Sequence, residues 1–141
     1  MKNKELITIL REGKNFELLE PFYFYFDAKS DSLLGLKSEV IALENGQVCI
    51  PVPKGFVTDF GSVPLLFQSL ISPVGKPTKA YVLHDYLCTL ANKGAIARKK
   101  ADEVFLDGLR ILGVGRIQRS VIYGGVRVYA LFKSLKRRKN G

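Results

Sequence analysis

The residue pattern changes at about residue 60, and this change constrains the fold more than any other feature. Before it, short segments rich in aromatic and β-branched residues alternate with turn residues, which is typical of strands. After it, apolar residues recur at three- and four-residue spacings, which is typical of helices. Strands followed by helices predict an α+β fold, with antiparallel β hairpins or a small sheet packed on a bundle of three to four helices. The 141 residues fit a single domain, 1–141, that can bury one core.

The β-rich half, residues 1–60, contains one strong hairpin signal. Residues 40–50 place Asn45-Gly46 between two apolar runs, and Asn-Gly is the preferred pair for a tight hairpin turn. The aromatic segment 22–26 predicts a further strand. We expect Pro51 to end the hairpin ladder, because proline has no backbone N–H to donate.

The helical half, residues 62–136, begins at a serine that lies two residues before a proline. Ser62 precedes Val63-Pro64 and is expected to be a helix N-cap. Lys93-Gly94 supplies a helix stop further along. The predicted helices cover about 63–70, 77–92, 96–112 and 116–136.

The last predicted helix has apolar or small residues along one stripe. Gly124 and Gly125 in its middle reduce helix stability, so we expect them to allow a close crossing with another helix. The stripe consists of Ile117, Val121, Gly124, Val128, Leu131 and Leu135.

Two ionisable residues are placed so that they can meet across a helical hairpin. His84 and Asp102 lie nine residues on either side of Lys93, in the predicted turn between two helices. At about 1.5 Å of rise per residue, both lie roughly 13 Å from that turn, and so at equal height. If the two faces meet, the carboxylate can accept a hydrogen bond from one imidazole nitrogen and raise the basicity of the other. A bound water would then have its general base.

Two further carboxylates, Asp85 and Asp59, are expected near His84. Asp85 projects about 100° away from His84 on the helix, and Asp59 follows the extended segment 56–58. With His84 they form a candidate site for one divalent metal ion, where oxygen ligands suit a hard cation and a mixed set suits zinc. Because the chain has a single histidine, sites that need two or three imidazoles are excluded. The candidate catalytic residues are therefore His84, Asp102, Asp85 and Asp59.

A structural interpretation of the same residues stays open. A lone histidine on an apolar helix face is often a core residue bonded to a nearby acid, and such clusters also occur as structural networks. Asp85 can be an exposed helix residue, and Asp59 can cap the turn before Ser62. Ser62 is a weak candidate nucleophile, because its neighbours form no Gly-x-Ser-x-Gly elbow and a capping role explains its position.

The net charge of +9 is carried by the C-terminal third of the chain. Residues 1–96 contain ten basic and ten acidic side chains, whereas residues 97–141 contain twelve basic and three acidic ones. Such a surplus can attract nucleic acid, anionic lipid or a polyanionic wall polymer. For its densest part, the basic tail 133–141, we favour the simpler interpretation of a solvated helix end, because no aromatic stacking pattern is interleaved with the cations.

Four pieces of sequence between residues 55 and 127 match one pattern: residues 55–64 (GFVTDFGSVP), residues 83–87 (LHDYL), Arg98 with Ala101-Asp102 and Phe105, and Tyr123 with Val126-Arg127. They resemble a family of about this length that is common in tailed bacteriophages and prophages and is classed as a domain of unknown function. The resemblance spans about residues 50–130 and implies a phage or prophage origin without implying a reaction. The candidate substrate-binding residues within these pieces are Ser62, Tyr86, Arg98 and Arg127.

A looser similarity links the predicted site to secreted phospholipases A2. They too place a His-Asp pair on one helix, with an acid from an antiparallel helix orienting the histidine. This chain lacks their disulfide set and their glycine-rich calcium loop. The similarity is therefore one of geometry and implies no substrate.

Cysteine content and segment composition bear on the compartment. Cys49 and Cys88 form no cysteine-dense framework, so we expect both to be reduced and buried. The first residues lack the apolar core of a signal peptide, and no stretch offers the roughly 20 uninterrupted apolar residues of a membrane span. We expect synthesis in the cytosol of a bacterial host, with the periplasm or virion reached only through phage machinery.

Three hypotheses follow from the sequence. The first is a small hydrolase in which His84 is the general base and Asp102 orients it, acting on peptidoglycan, another envelope component or a phosphorylated small molecule. The second is a non-enzymatic phage accessory protein that binds a host factor or a virion component. The third, which we do not favour, is nucleic-acid binding through the last two helices.

Overall fold

The computed structural model describes residues 8–10, 16–58 and 78–140, without the side chains of 8–10, 78 and 136–140. Within these residues, short antiparallel strands precede three α-helices, so the predicted α+β class is confirmed. The predicted helix over 63–70, its cap Ser62, and Asp59 lie outside the described residues.

The described strands form two antiparallel sheets of three strands each. Their spatial orders are β1-β2-β6 and β3-β5-β4. The strands are β1 Thr8–Leu10, β2 Phe16–Leu18, β3 Phe22–Tyr25, β4 Ala42–Glu44, β5 Gln47–Val52 and β6 Val57–Thr58.

The hairpin between β4 and β5 turns at the predicted Asn-Gly pair. Asn45 and Gly46 have φ angles of 53° and 77°, and Glu44 pairs with Gln47 across the turn. Positive φ at both central residues is the requirement of a type I′ turn, whose twist matches the two strands. This prediction is confirmed.

The hairpin ladder between β4 and β5 ends at Cys49, before Pro51, as predicted, but strand β5 continues through Pro51 to Val52. Pro51 lies within β5 and pairs with Tyr23 of β3. The backbone N–H of Phe26 donates to the carbonyl of Val48, and hydrogen-bonded pairs alternate along an antiparallel ladder. The nitrogen of Pro51 therefore faces the β4 side, where pairing stops at Cys49, so no ladder bond is lost.

The three described helices are α1 Thr78–Asn92, α2 Arg98–Ile111 and α3 Arg116–Asn140. The connection from α1 to α2 is the predicted stop at Gly94, whose φ is 80°. Ala95 N–H donates to Leu90 O and Gly94 N–H donates to Ala91 O, which is the bonding of a Schellman cap. This short cap lets α2 fold back along α1. No helix in the described part of the chain is long and apolar enough to cross a bilayer.

Two groups of buried side chains hold the layers together. The first joins one face of the β3-β5-β4 sheet to α1 and α2, and the second fills the space among α1, α2 and α3. The most deeply buried members include Phe24, Ile50, Val52, Leu83, Leu87 and Val104 in the first and Tyr81, Phe105 and Leu109 in the second.

Helix α3 was expected to make a close crossing through Gly124 and Gly125; this is not observed at Gly124, and a crossing at Gly125 stays a prediction. A Cβ added at Gly124 would meet no atom within 4 Å, and the buried glycine of the pair is Gly125. The helix packs on the rest of the chain through Ile122 and Val126. The predicted apolar stripe points away from that face, so it lies at the surface.

Candidate functional site

His84 lies on the face of α1 that packs against α2. Only 7% of the residue is exposed, and its ring stacks on Phe105 of α2 with centroids 4.4 Å apart. The imidazole Nε2 lies 2.7 Å from Oδ1 of Asp102. The contact expected from equal distances to the turn is therefore present.

Asp102 is fully buried and accepts hydrogen bonds from all three helices. Oδ1 accepts from Nε2 of His84 on α1 and from Nε of Arg98, one turn earlier on α2, at 3.0 Å. Oδ2 accepts from Nη1 of Arg127 on α3 at 2.6 Å. A buried carboxylate with three donors, two of them cationic, is a satisfied anion rather than an isolated charge.

The surroundings favour an ionised Asp102 and a neutral His84. Burial raises the pKa of Asp102, but hydrogen bonds from His84 and Arg127 outweigh it, so the pKa lies below its ordinary 3.8. Burial lowers the pKa of His84 below its ordinary 6.5, and Asp102 offsets this only in part. We take the imidazole as neutral, because the two guanidinium groups already balance the carboxylate.

This pairing fixes the tautomer of the ring. A neutral imidazole carries one proton, and the hydrogen-bond network assigns it to Nε2, which faces an ionised acceptor. Nδ1 is then unprotonated and keeps a lone pair. Among the residues that the structure describes, Nδ1 has no hydrogen-bond partner.

Cys88 lies one turn after His84 and was not among the predicted site residues. Its Sγ is 3.4 Å from Nε2 of His84, the same nitrogen that bonds Asp102. In a Cys-His-Asp relay the thiol and the acid face different ring nitrogens. Burial also raises the pKa of the thiol to about 11, so it is not a thiolate at neutral pH. The four-residue spacing from His84 was the signal that could have indicated this contact.

One atom each of His84, Cys88 and Asp102 lies within 4.8 Å of the others, which is close enough to hold a metal ion. The charges around this group oppose a cation. Both oxygens of Asp102 already accept from Arg98 or Arg127, and Cys88 would have to lose a proton that burial retains. The donor set therefore fits poorly with a bound metal.

Asp85 connects α1 to β6. Its Oδ2 accepts a hydrogen bond from Oγ1 of Thr58 at 2.6 Å, and its carbonyl accepts from Oγ1 of Thr89 at 3.0 Å. Asp59 follows Thr58 in the sequence but lies outside the described residues, as does Ser62. The predicted set of Asp59, Asp85 and His84 stays a prediction.

The remaining predicted residues divide between two surroundings. Tyr86 packs edge-on against Phe56, with ring centroids 5.6 Å apart, and so lies on the α1 face that covers the β6 region. Arg98 and Arg127 bond Asp102 instead, and each side chain is 28% exposed. Whether any of the three binds a substrate stays a prediction.

The helix that carries His84 also carries a buried hydroxyl that has no hydrogen-bond partner among the described residues. The ring of Tyr81, one turn before His84, lies 5.6 Å from that of Phe105 between centroids, and within the described part of the chain its OH makes no hydrogen bond. Burial raises the pKa of this phenol to about 12, so it stays protonated.

Comparison with known proteins gives a family and no relative of known activity. The family described as "Protein of unknown function (DUF1353)" matches residues 35–126, a range that contains His84, Asp85, Arg98 and Asp102. No curated protein and no solved structure is significantly similar to the chain. Because the match covers well over half of its length, this chain belongs to the DUF1353 family of proteins of unknown function.

Proposed function

We propose that this protein is a small hydrolase in which Nδ1 of His84 is the general base for an attacking water. One observation carries the proposal: Nε2 of His84 donates to a fully buried carboxylate that two arginines hold in place. The ring is thereby held in one orientation and one tautomer, and Nδ1 is left as the proton acceptor. Positioned acid–base groups of this kind contribute about 10²–10⁴-fold to a rate.

Asp102 is a positioning residue in this scheme, because it acts through His84. Its buried negative charge stabilises the imidazolium that forms when Nδ1 takes the proton of water. Arg98 and Arg127 keep Asp102 ionised, so the carboxylate orients the ring rather than taking up its proton.

The same two arginines are the reason for proposing an anionic substrate. Arg98 uses Nε on Asp102 and Arg127 uses Nη1, so each guanidinium keeps further N–H groups without a partner among the described residues. Guanidinium groups bind carboxylates and phosphates through such paired donors. We therefore propose an acidic envelope component, such as peptidoglycan, or a phosphorylated small molecule as the substrate.

Asp85 and Asp59 are secondary candidates in this proposal, as ligands of a divalent cation. Asp85 accepts a hydrogen bond from Thr58, the residue directly before Asp59 in the sequence. Oxygen ligands of this kind suit a divalent cation. We also propose a phage or prophage origin, which rests on the sequence pieces around residues 55–64, 83–87 and 98–105.

The test compares wild type with His84→Gln and Glu103→Gln on three substrate classes: purified peptidoglycan, a bis-aryl phosphodiester and an aryl carboxylic ester. The glutamine amide can donate to Asp102 as Nε2 does but cannot accept a proton. Glu103, next to Asp102, is a partly exposed acid paired only loosely with Lys100 at 3.7 Å, and its variant is the matched control. We expect one class to be hydrolysed by wild type and by the control, and His84→Gln to be at least about 100-fold slower while equally folded.

A non-enzymatic role is the second candidate, and the completeness of the network favours it. Asp102 has a donor on each oxygen and joins three helices, which a purely structural cluster would also do. An inert wild type on all three classes, or a folded His84→Gln variant with unchanged rate, would reject the hydrolase in favour of this role.

A further inference from the structure

An apolar strip runs along the outer face of α3 and is not covered by any described residue. Its largest members, Ile117, Leu131, Phe132 and Leu135, are between 57% and 83% exposed. Contiguous exposed apolar surface of this kind marks interaction sites in folded proteins. We call it the α3 strip; it comprises Ile117, Val121, Val128, Leu131, Phe132 and Leu135.

The α3 strip is regular and belongs to the exposed side of the helix. With Gly124 between Val121 and Val128, its members other than Phe132 follow three- and four-residue spacings from Ile117 to Leu135, which places them on one face about 27 Å long. Phe132, next to Leu131, lies at the edge of that face. Ile122 and Val126, which pack on the rest of the chain, occupy the opposite face. The strip is therefore the outermost part of the helix and can reach a flat surface.

The charge of α3 indicates what covers the strip. The helix contains eight lysines and arginines and no acidic residue over Arg116–Asn140. Arg127 is used on Asp102, which leaves seven cations, and residues 136–139 follow Leu135 without interruption. A second copy of the chain would oppose two such helices with no acid to pair the cations, so self-association is disfavoured.

Binding to nucleic acid would account for the cations of α3 but not for the α3 strip. Non-specific nucleic-acid binding uses cations with stacked aromatic side chains, whereas the strip is mostly aliphatic. A helix with an apolar face and a cationic remainder is instead suited to lie in the plane of an anionic bilayer, with its apolar face at the level of the acyl chains. A bilayer also needs no groove of matching shape, which suits a convex helix.

We propose that α3 binds the surface of anionic membranes, with the α3 strip inserted at the interface. Val128, Leu131, Phe132 and Leu135 lie beyond residues 35–126, so most of this surface lies outside the range that matches the family. The binding is independent of the hydrolase proposal, because no strip residue contacts His84 or Asp102 in the described structure.

The test measures flotation of the full chain with vesicles of phosphatidylcholine and phosphatidylglycerol in equal parts, and with vesicles of phosphatidylcholine alone. The strip variant is Leu131→Ser with Leu135→Ser. The matched control is Leu34→Ser with Leu43→Ser, because these leucines are 72% and 77% exposed elsewhere on the surface. A second variant, Arg116→Gln with Lys133→Gln, removes two exposed cations of α3.

We expect wild type and the leucine control to bind the anionic vesicles and to bind neutral vesicles at least about tenfold more weakly. The strip variant and the cation variant should each lose about tenfold or more in affinity, and wild-type binding should weaken with salt. Strip variants with wild-type affinity, or equal binding to both vesicle types, would overturn the proposal. So would a dimer without lipid that the strip variant makes monomeric, since the strip would then be a protein interface. The proposal would also be overturned if a DNA duplex competed with the vesicles while Leu131→Ser with Leu135→Ser left the binding unchanged.

Discussion

The imidazole of His84 and the carboxylate of Asp102 face each other at 2.7 Å across the contact between α1 and α2. The acid is wholly buried while the arginines that bond its two oxygens are each 28% exposed, so the pair lies at the inner end of a polar cluster. One buried negative charge thereby joins all three described helices.

Replacing Asp102 by Asn should strongly destabilise the protein. The substitution removes the anion that two arginines share and leaves one buried amide to face three donors. Loss of one partner from a buried ion pair costs about 3–5 kcal/mol. The free energy of unfolding, measured with urea, should fall by about that amount, whereas the surface variant Glu103→Gln should change it by less than about 1 kcal/mol. Equal denaturation midpoints for the two variants would show that the cluster contributes no stability.

The free energy of unfolding should also decrease as the pH falls below about 6.5, because of His84. In the unfolded chain this histidine has its ordinary pKa of 6.5, and in the folded chain burial lowers it. The unfolded state therefore binds more protons over this window, and stability is lost as the pH falls through it. Asp102, whose folded pKa lies below 3.8, adds a second loss only in stronger acid.

The variant His84→Gln isolates the first of these losses. The amide does not titrate, so the curve of unfolding free energy against pH should flatten below pH 6.5 and keep the loss due to Asp102 below 3.8. Urea titrations across this range measure both curves. Parallel curves for wild type and variant would mean that the histidine titrates equally in the folded and unfolded states.

The contact between His84 and Asp102 could be predicted because it depends on local rules. Gly94 sets the turn, helical rise sets the height, and apolar neighbours set the facing sides. Arg98 lies one turn from Asp102 on the same helix, so its hydrogen bond to Asp102 could also be predicted from the sequence spacing.

The contribution of Arg127 and the exposure of the α3 strip could not be predicted in this way. Both depend on the rotation of α3 about its axis, and α3 carries apolar residues on two faces. Ile122 and Val126 pack on the rest of the chain, so their face of α3 points inward. Arg127 follows Val126 and therefore reaches Asp102. The continuation of β5 through Pro51 also depends on tertiary structure, because it depends on where the neighbouring strand β4 ends.

Zinc should not bind with one-to-one stoichiometry at His84, Cys88 and Asp102 at neutral pH. The atoms are close enough, but two guanidinium groups hold the carboxylate and the thiol has a pKa of about 11. Calorimetric titration of the reduced protein with zinc, beside the Cys88→Ala variant, tests this. Tight binding by wild type that Cys88→Ala abolishes would show that the metal displaces the arginines and that the cluster is a metal centre.

Two buried tyrosines should respond in opposite directions to the same substitution. The hydroxyl of Tyr81 makes no hydrogen bond to residues 8–10, 16–58 or 78–140, whereas that of Tyr25 donates to Glu44 at 2.8 Å, and both residues are 1% exposed. A buried hydroxyl without a partner costs about 1–3 kcal/mol, and a hydrogen bond to a charged group contributes about 1.5–3 kcal/mol. Tyr81→Phe should therefore raise the free energy of unfolding by about 1 kcal/mol, and Tyr25→Phe should lower it by about as much or more.

Because the two variants remove the same atom at equal burial, the difference between them reports the hydrogen bond rather than packing. Urea unfolding at neutral pH measures both variants in one series. Destabilisation by Tyr81→Phe of the size seen for Tyr25→Phe would show that the Tyr81 hydroxyl has a partner, such as an ordered water between α1 and α3. The space beside Phe105 and His84 would then be polar, and the apolar description of the second core group would need revision.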